Sequence, residues 1–158
     1  MSSAEIELRP MTSEDLPFLL QVYAGTRAEE LAAVPWSDAE KEQFVRMQFE
    51  AQHTFYQQQF PDAAYDLVVV DGEAIGRLYV DRRTDEIRLI DIALLPEKRR
   101  GGVGSRLLAE LLAEGQAAGL PVRIHVEKNN PALSLYHRLG FEELEDQGVY
   151  YLMEWSPR

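Results

Sequence analysis

Leu95-Pro96-Glu97-Lys98-Arg99-Arg100-Gly101-Gly102-Val103-Gly104-Ser105-Arg106 joins two segments of different period. Before it, Ile87 to Leu95 is a nearly unbroken apolar run, which suits a central strand covered on both faces and stopped by Pro96. After it, Val103, Leu107, Leu108, Leu111 and Leu112 recur at helical spacing. That spacing predicts a helix from about Gly102 to Ala118, closed by Gly119. Between the two, Gly101, Gly102 and Gly104 allow a tight backbone path and close approach by a ligand. The first amides of the helix have no acceptor within it and carry the positive end of its dipole. Such an arrangement binds phosphate or pyrophosphate. Arg99 and Arg100 can add charge-assisted bonds. Two familiar phosphate loops do not fit. A P-loop needs Lys-Ser/Thr after its last glycine, where Ser105-Arg106 stands, and a dinucleotide fingerprint needs a glycine where Leu107 stands. A plain glycine turn with a solvated basic face is the alternative.

Outward from this turn, Val122 to Val126 is strand-like, and Pro131 to Leu139 is a short helix closed by Gly140. Phe141 to Leu144 and Val149 to Trp155 can pair through a turn at Asp146-Gln147-Gly148. Upstream, Tyr65 to Val70 and Ala74 to Asp81 flank the turn signal Asp71-Gly72. Ser37 with Glu40 makes a capping box for a helix that runs to about Phe60 and ends before Pro61. In that helix Phe44, Met47, Ala51 and Phe55 form one apolar stripe, and Val45, Phe49, Tyr56 and Phe60 a second. So wide an apolar face is expected to be largely covered by the rest of the fold. Thr12 to about Ala24 is a further helix, capped by Thr12 with Asp15 or, as Pro17 prefers, by Asp15 itself. Ile6 to Pro10 alternates as a short strand. The order β-α-α-β-β-β-α-β-α-β-β makes a mixed α/β domain with a central sheet.

The chain has 158 residues, of which 46% are hydrophobic, so one domain over 1–158 with a sizeable core is expected. It has no cysteine, which excludes disulfides, zinc–thiolate sites and a cysteine nucleophile. Its three histidines, His53, His125 and His137, show no metal-ligand spacing, so no metal is expected. No apolar stretch is long enough for a membrane span and the N-terminus lacks a signal-like apolar region; a soluble, cytoplasmic protein without membrane association is the expectation. The net charge is −11, which disfavours nucleic acid as a partner. Glu97 to Arg106 carries four basic residues against one acidic, a +3 island that leaves −14 for the rest and points to a specific anion site.

Arg99-x-x-Gly102-x-Gly104, between an apolar strand and an amphipathic helix, resembles motif A of the GCN5-related N-acetyltransferases, the GNAT superfamily. Val126-Glu127-Lys128-Asn129-Asn130-Pro131-Ala132-Leu133-Ser134-Leu135-Tyr136-His137-Arg138-Leu139-Gly140-Phe141 resembles that family's motif B. Both occur in the right order on the right elements. The resemblance implies a GNAT-type fold, with a mixed, mostly antiparallel sheet whose fourth and fifth strands splay apart, flanked by helices. It also implies an N-acyltransferase that moves acetyl from acetyl-CoA to a primary amine, without a metal.

By position, the resemblance puts cofactor pyrophosphate on the loop Arg99, Arg100, Gly101, Gly102, Val103, Gly104 and Ser105. The backbone of Ile92, Ala93 and Leu94 would face the pantetheine arm and thioester, their side chains being plain core. Asn130 matches a cofactor-contacting asparagine, and an asparagine before an N1 proline also suits a helix cap. Tyr136 matches the tyrosine that protonates the departing thiolate, while its place in the stripe Leu133, Tyr136, Leu139 also suits core packing. His137 reads as surface. A general base is not legible: Arg88 stands where relatives have a glutamate, and Asp91, Glu127, His125 and Glu86 are candidates by location only. Arg88 could instead meet an acceptor carboxylate. Trp36, Phe49, His53, Tyr56 and Tyr79 are the aromatic residues from the acceptor half of the fold, with ordinary core as their other reading. A small amine or amino acid is the favoured acceptor. A protein N-terminus or lysine, a hydroxyl acceptor, and a non-catalytic CoA-binding module are the alternatives. A homodimer fits the reading as well.

Overall fold

The computed structural model describes residues 5–158. Strand β1 (Ile6–Pro10) is followed by helices α1 (Leu16–Ala32) and α2 (Asp38–Gln59), then strands β2 (Ala64–Val70), β3 (Glu73–Arg82) and β4 (Ile87–Leu94). Helix α3 (Val103–Ala118), strand β5 (Val122–Glu127), helix α4 (Leu133–Arg138) and strands β6 (Glu142–Gln147) and β7 (Tyr150–Trp155) complete the chain. The strands hydrogen-bond in the order β1-β2-β3-β4-β5-β7-β6. β4 and β5 run parallel; β1–β2, β5–β7 and β6–β7 are antiparallel. The expected mixed α/β class and element order are therefore observed. The described residues divide into two compact units, one running to Leu78 and taking in Ile92–Gly101, the other made of Tyr79–Asp91 and Gly102–Arg158.

In the first unit Asp15 is the N-cap of α1, but its side chain bonds no amide of that helix and turns back to Thr12 instead. Asp15 Oδ2 accepts from the Thr12 amide at 2.8 Å and closes a 3₁₀ turn, Ser13–Asp15. Arg9 holds the same carboxylate in a fork at 3.0 and 3.1 Å. α1 proper then starts at Leu16 with Pro17 in its first turn, where a missing amide costs nothing. The helix continues to Ala32, past the expected end near Ala24. Gly25 does not break it. A Cβ built there would lie 2.8 Å from Pro96 Cδ, so the glycine serves close packing and not a turn. α2 is capped as its sequence predicts: Ser37 Oγ accepts from the Glu40 amide at 3.1 Å, and Glu40 Oε1 accepts from the Ser37 amide at 3.2 Å.

The core of this unit gathers Leu19, Tyr23, Leu31, Val45, Phe49 and Leu67. The expectation that both stripes of α2 would be covered is not met. Val45 and Phe49 are buried, whereas Met47 is 60% and Phe55 54% exposed, and Ala51 is exposed between them. At about 100° per residue the two stripes point in different directions, and the packing with α1 covers only one of them.

In the second unit Leu107, Leu108 and Leu111 are buried along α3. Gly115 faces the sheet so closely that a Cβ would sit 2.9 Å from the Leu120 carbonyl and 3.0 Å from the Trp155 ring. β5 alternates, with Val122, Ile124 and Val126 buried. The terminal hairpin turns at Gly148-Val149, with Gly148 at φ +83° and Gln147 opposite Tyr150. The turn is one residue later than the sequence suggests, because β6 extends to Gln147 after an irregularity between Glu143 and Glu145.

Candidate active site around the glycine-rich turn

The register between β4 and β5 joins Ile87 to Val122, Arg88 to Arg123 and Leu89 to Ile124. β4 itself continues to Leu94. There Ile92 and Ala93 are half-buried and Leu94 is buried, in keeping with side chains that pack. Gly76 of β3 fits against this end of β4. A Cβ at Gly76 would come within 2.6 Å of Leu94 Cδ2 and 3.0 Å of its Cα, and would run into the Ala93 carbonyl. The sequence carried a usable signal for this contact, since a glycine inside a strand pattern marks close approach by another backbone.

The chain leaves β4 through Leu95, whose amide donates to the Ile75 carbonyl at 2.8 Å. A 3₁₀ turn, Pro96–Lys98, follows, and the Arg99 amide closes it on the Pro96 carbonyl at 3.3 Å. The Arg99 guanidinium donates from Nε to the Leu94 carbonyl and from Nη2 to the Gly25 carbonyl, both at 3.3 Å. One donor thus ties the loop to the end of β4 and one to α1, which leaves the other guanidinium donors of this exposed side chain for an anion. Arg100 is exposed and left-handed at φ +70°, and Gly102 is left-handed at φ +80°. Alternating left-handed positions curve the backbone into the kind of concavity whose amides bind anions. Gly101 is exposed.

The first hydrogen bond of α3 runs from the Arg106 amide to the Gly102 carbonyl at 3.0 Å. The amides of Val103, Gly104 and Ser105 therefore precede the helical ladder and find no acceptor within it. A Cβ placed at Gly102 would meet nothing within 4 Å, so the loop is open to solvent there. A left-handed glycine, unbonded amides and open space together fit a pyrophosphate.

Asn130 is exposed, and its Oδ1 accepts from the Ala132 amide at 2.8 Å. That bond closes a turn ahead of α4, whose N-cap is Ala132 and not Asn130, and the donor end of the carboxamide is what Asn130 can offer a ligand. Tyr136 is buried, with its ring edge-on to Phe141 at 5.5 Å. Burial, and secondarily the Asp91 charge, push its phenol well above the ordinary tyrosine value, so it stays protonated at neutral pH. His137 is exposed and lies 3.2 Å from Glu143, a surface position as expected.

The residues weighed as bases fare differently. Glu86 is buried beside Arg83 at 3.3 Å, Arg88 at 3.5 Å and Arg123 at 3.8 Å. A carboxylate so surrounded is an ion-pair hub. Arg88 lies between Glu86 and His125, with Nη1 3.0 Å from His125 Nδ1. That contact requires a lone pair on Nδ1, hence a neutral imidazole with its proton on Nε2. Burial first, and Arg88 second, hold the His125 pKa below its ordinary value.

Of the aromatic residues, Phe49 and Tyr79 are buried core. Trp36 is exposed and edge-on to Phe44 at 5.2 Å. His53 stacks on Phe49 at 6.0 Å, and burial, then the Arg77 charge, lower its pKa. Arg77, absent from the sequence reading, is 2% exposed, donates to Gln52 Oε1 at 2.8 Å and lies 5.8 Å from the Tyr23 ring centre. A concavity of about 440 Å³ between α1 and α2, lined by Leu20, Ala24, Ala28, Leu31 and Val45, contains none of the residues weighed above for the cofactor or the acceptor.

Comparison with known proteins agrees with this geometry. A bS18-alanine N-acetyltransferase of Haemophilus influenzae is 29% identical over 85 residues, covering 53% of this chain and 58% of the relative. An N-alpha-acetyltransferase of Sulfurisphaera tokodaii is 28% identical over 107 residues, covering 57% and 63%. The chain thus spans about three fifths of the length of these curated relatives. Among solved structures, the PaiA N-acetyltransferase of Thermoplasma acidophilum in complex with coenzyme A superposes with a TM-score of 0.72 at 23% identity, over 96% of this chain and 99% of that one. The ribosomal-protein-S18-alanine N-acetyltransferase of Escherichia coli superposes at 0.62 and 24%, over 96% and 94%. These likenesses show the fold. The sequence model of the acetyltransferase (GNAT) family matches residues 27–141, well over half of the chain, and the protein belongs to that family.

Proposed function

We propose that the protein transfers an acetyl group from acetyl-CoA to a primary amine. The observation that carries this reading is the start of α3, where left-handed Gly102 opens a helix whose first amides find no acceptor within it. Arg100, Gly101, Gly102, Val103, Gly104 and Ser105 would hold the pyrophosphate, Arg99 would fix the loop, and Asn130 would contact the arm. The backbone of Ile92, Ala93 and Leu94 would face the thioester and stabilise the oxyanion. The neutral amine attacks the thioester carbonyl carbon; the C–N bond forms, the C–S bond breaks, and the sulfur leaves as thiolate. The proton lost from nitrogen goes to solvent or to a carboxylate. With Glu86 and His125 engaged as described, Asp91 on β4 and Glu127 at the end of β5 are the candidates for that carboxylate by their place in the sheet.

Tyr136 acts on the leaving group. Its phenol is held above the range of a free thiol near 8.5, so full proton transfer to the thiolate would run uphill. A hydrogen bond to the developing charge needs no such transfer and contributes about 1.5–3 kcal/mol. Tyr136→Phe is expected to leave acetyl-CoA affinity nearly unchanged and lower turnover about ten-fold or more, measured under conditions where chemistry limits the rate. Unchanged turnover would reduce Tyr136 to packing.

For the acceptor, net charge favours a small cationic amine or amino acid. The amino-acid variant loses its residue, since Arg88 is committed to Glu86 and His125. A peptide N-terminal amine is the second reading, favoured by the names of the two curated relatives. A screen following free thiol release from acetyl-CoA over amines, amino acids, polyamines and peptides with free or blocked N-termini separates them. Absence of acetyl-CoA binding in calorimetry would overturn the family-based activity altogether.

A further inference from the structure

The trough between α1 and α2 lies wholly within the first unit, and its origin is in the sequence. Leu20, Ala24, Ala28 and Ala32 follow one another at four-residue steps, so they form a single row along α1. Three of the four are alanine, and side chains that short leave the space beside α2 unfilled, about 440 Å³ of it. That volume is in the range of small-molecule sites. The residues of α1 that line it run from Pro17 to Ala32, about 22 Å along the helix axis. The trough is therefore long, and its walls are largely aliphatic, completed by the buried side chains of Leu31 and Val45.

Its charges are at one end. Lys41 and Glu42 are the charged residues that line it, and both belong to the start of α2. The short connection 33–37 returns the chain, so the start of α2 lies by the end of α1. The two charges are not equivalent. Glu42 Oε1 is 3.7 Å from Arg46 Nη2, and its side chain is 75% exposed. Lys41 is half-buried, and no carboxylate pairs with it among the described residues. Asp38 and Glu40, at the same helix start, are exposed, and Glu40 turns back to the Ser37 amide. An ammonium partly withdrawn from water, with no counter-charge of its own, is completed by an anion. An apolar channel that ends on such a cation is complementary to a chain molecule with one anionic end. We propose that this trough binds an unbranched aliphatic carboxylate, its chain along the alanine row and its carboxylate on the Lys41 ammonium. The site is independent of the acetyl-transfer reading, since it shares no residue with it.

The test is calorimetry on the full chain with octanoate, decanoate and dodecanoate, each below the concentration at which it forms micelles. Affinity should rise about four-fold for each added methylene. Decylammonium should bind more weakly than decanoate, although the field of a chain with net charge −11 favours the cation. Lys41→Gln should weaken octanoate about ten-fold and leave octanol nearly unchanged, because only the carboxylate meets the ammonium. Ala28→Leu, at an exposed helical position that tolerates leucine, should fill the trough and weaken both about ten-fold or more. Ala51→Leu, exposed and outside the trough, should change neither, and circular dichroism melting checks the fold of each variant. Saturating coenzyme A should leave decanoate binding in place. The proposal is overturned by no binding at millimolar decanoate, or by wild-type affinity in either Lys41→Gln or Ala28→Leu. It is overturned equally by decylammonium binding as tightly as decanoate, and by displacement of decanoate by coenzyme A, which would put the chain in the cofactor site.

Discussion

Gly102 shows how one residue can serve conformation and electrostatics together. At φ +80° it occupies backbone space that L side chains rarely adopt, and nothing lies within 4 Å of where its Cβ would be. Asparagine and aspartate both tolerate this region better than other side chains. Gly102→Asn should therefore cost little affinity for acetyl-CoA, whereas Gly102→Asp, nearly the same shape with a negative charge, should weaken it about ten-fold or more. Calorimetry on both variants separates charge from backbone; equal effects would move the pyrophosphate away from this loop. The histidines make a prediction of another kind. The pKa values of His53 and His125 are lowered in the folded chain, in each case mainly by burial and then by a neighbouring arginine. The unfolded chain takes up these protons near pH 6.5 while the folded chain resists them. Their contribution is thus present above about pH 6.5 and lost as pH falls through the depressed folded-state values. Melting temperatures followed from about pH 8 to about pH 5 should decline in this window, and His53→Gln with His125→Gln should flatten the decline.

At the scale of elements, α1 and the turn that follows β4 meet at Gly25. Alanine is the better helix former by about 1 kcal/mol, so propensity alone says that Gly25→Ala stabilises. The Pro96 ring, 2.8 Å from the new Cβ, says the opposite. A proline ring cannot swing aside as a flexible chain end can, and overpacking of this kind costs about 1–3 kcal/mol. The clash should win and lower the melting temperature. Pro96→Ala should remove most of the penalty, so that a double-mutant cycle reads a coupling between two residues 71 positions apart in sequence. Additive effects would mean that the helix and the loop are independent.

For the molecule as a whole, the net charge of −11 sets a field that depends on ionic strength. If that field steers acceptors, kcat/KM for cationic amines should exceed that for matched anionic ones at low salt, and the preference should fade as salt rises. A preference for anionic acceptors, or indifference to salt among charged ones, would leave the acidic composition as a solubility feature.

What the sequence by itself determined is local. Ser37 and Glu40 announce the start of α2, Gly119 and Pro61 mark helix ends, and the period change at Pro96 separates strand from helix, because each signal acts over three or four residues. The glycine turn and the Asn130–Tyr136 segment were legible for the same reason, being continuous in the chain. Only the tertiary structure decided which stripe of α2 is covered, since both stripes are apolar and the neighbour that chooses between them, α1, is distant in sequence. Only the tertiary structure turned Arg99 back onto Gly25 and Leu94 and buried Arg77 beside Gln52. It also closed Arg88 between Glu86 and His125. A charged side chain is long and rotatable, and the partner it finds depends on which elements the fold brings within its reach. Periodicity along the chain records where a residue's backbone lies; it does not record what a guanidinium or a phenol meets once the elements have packed.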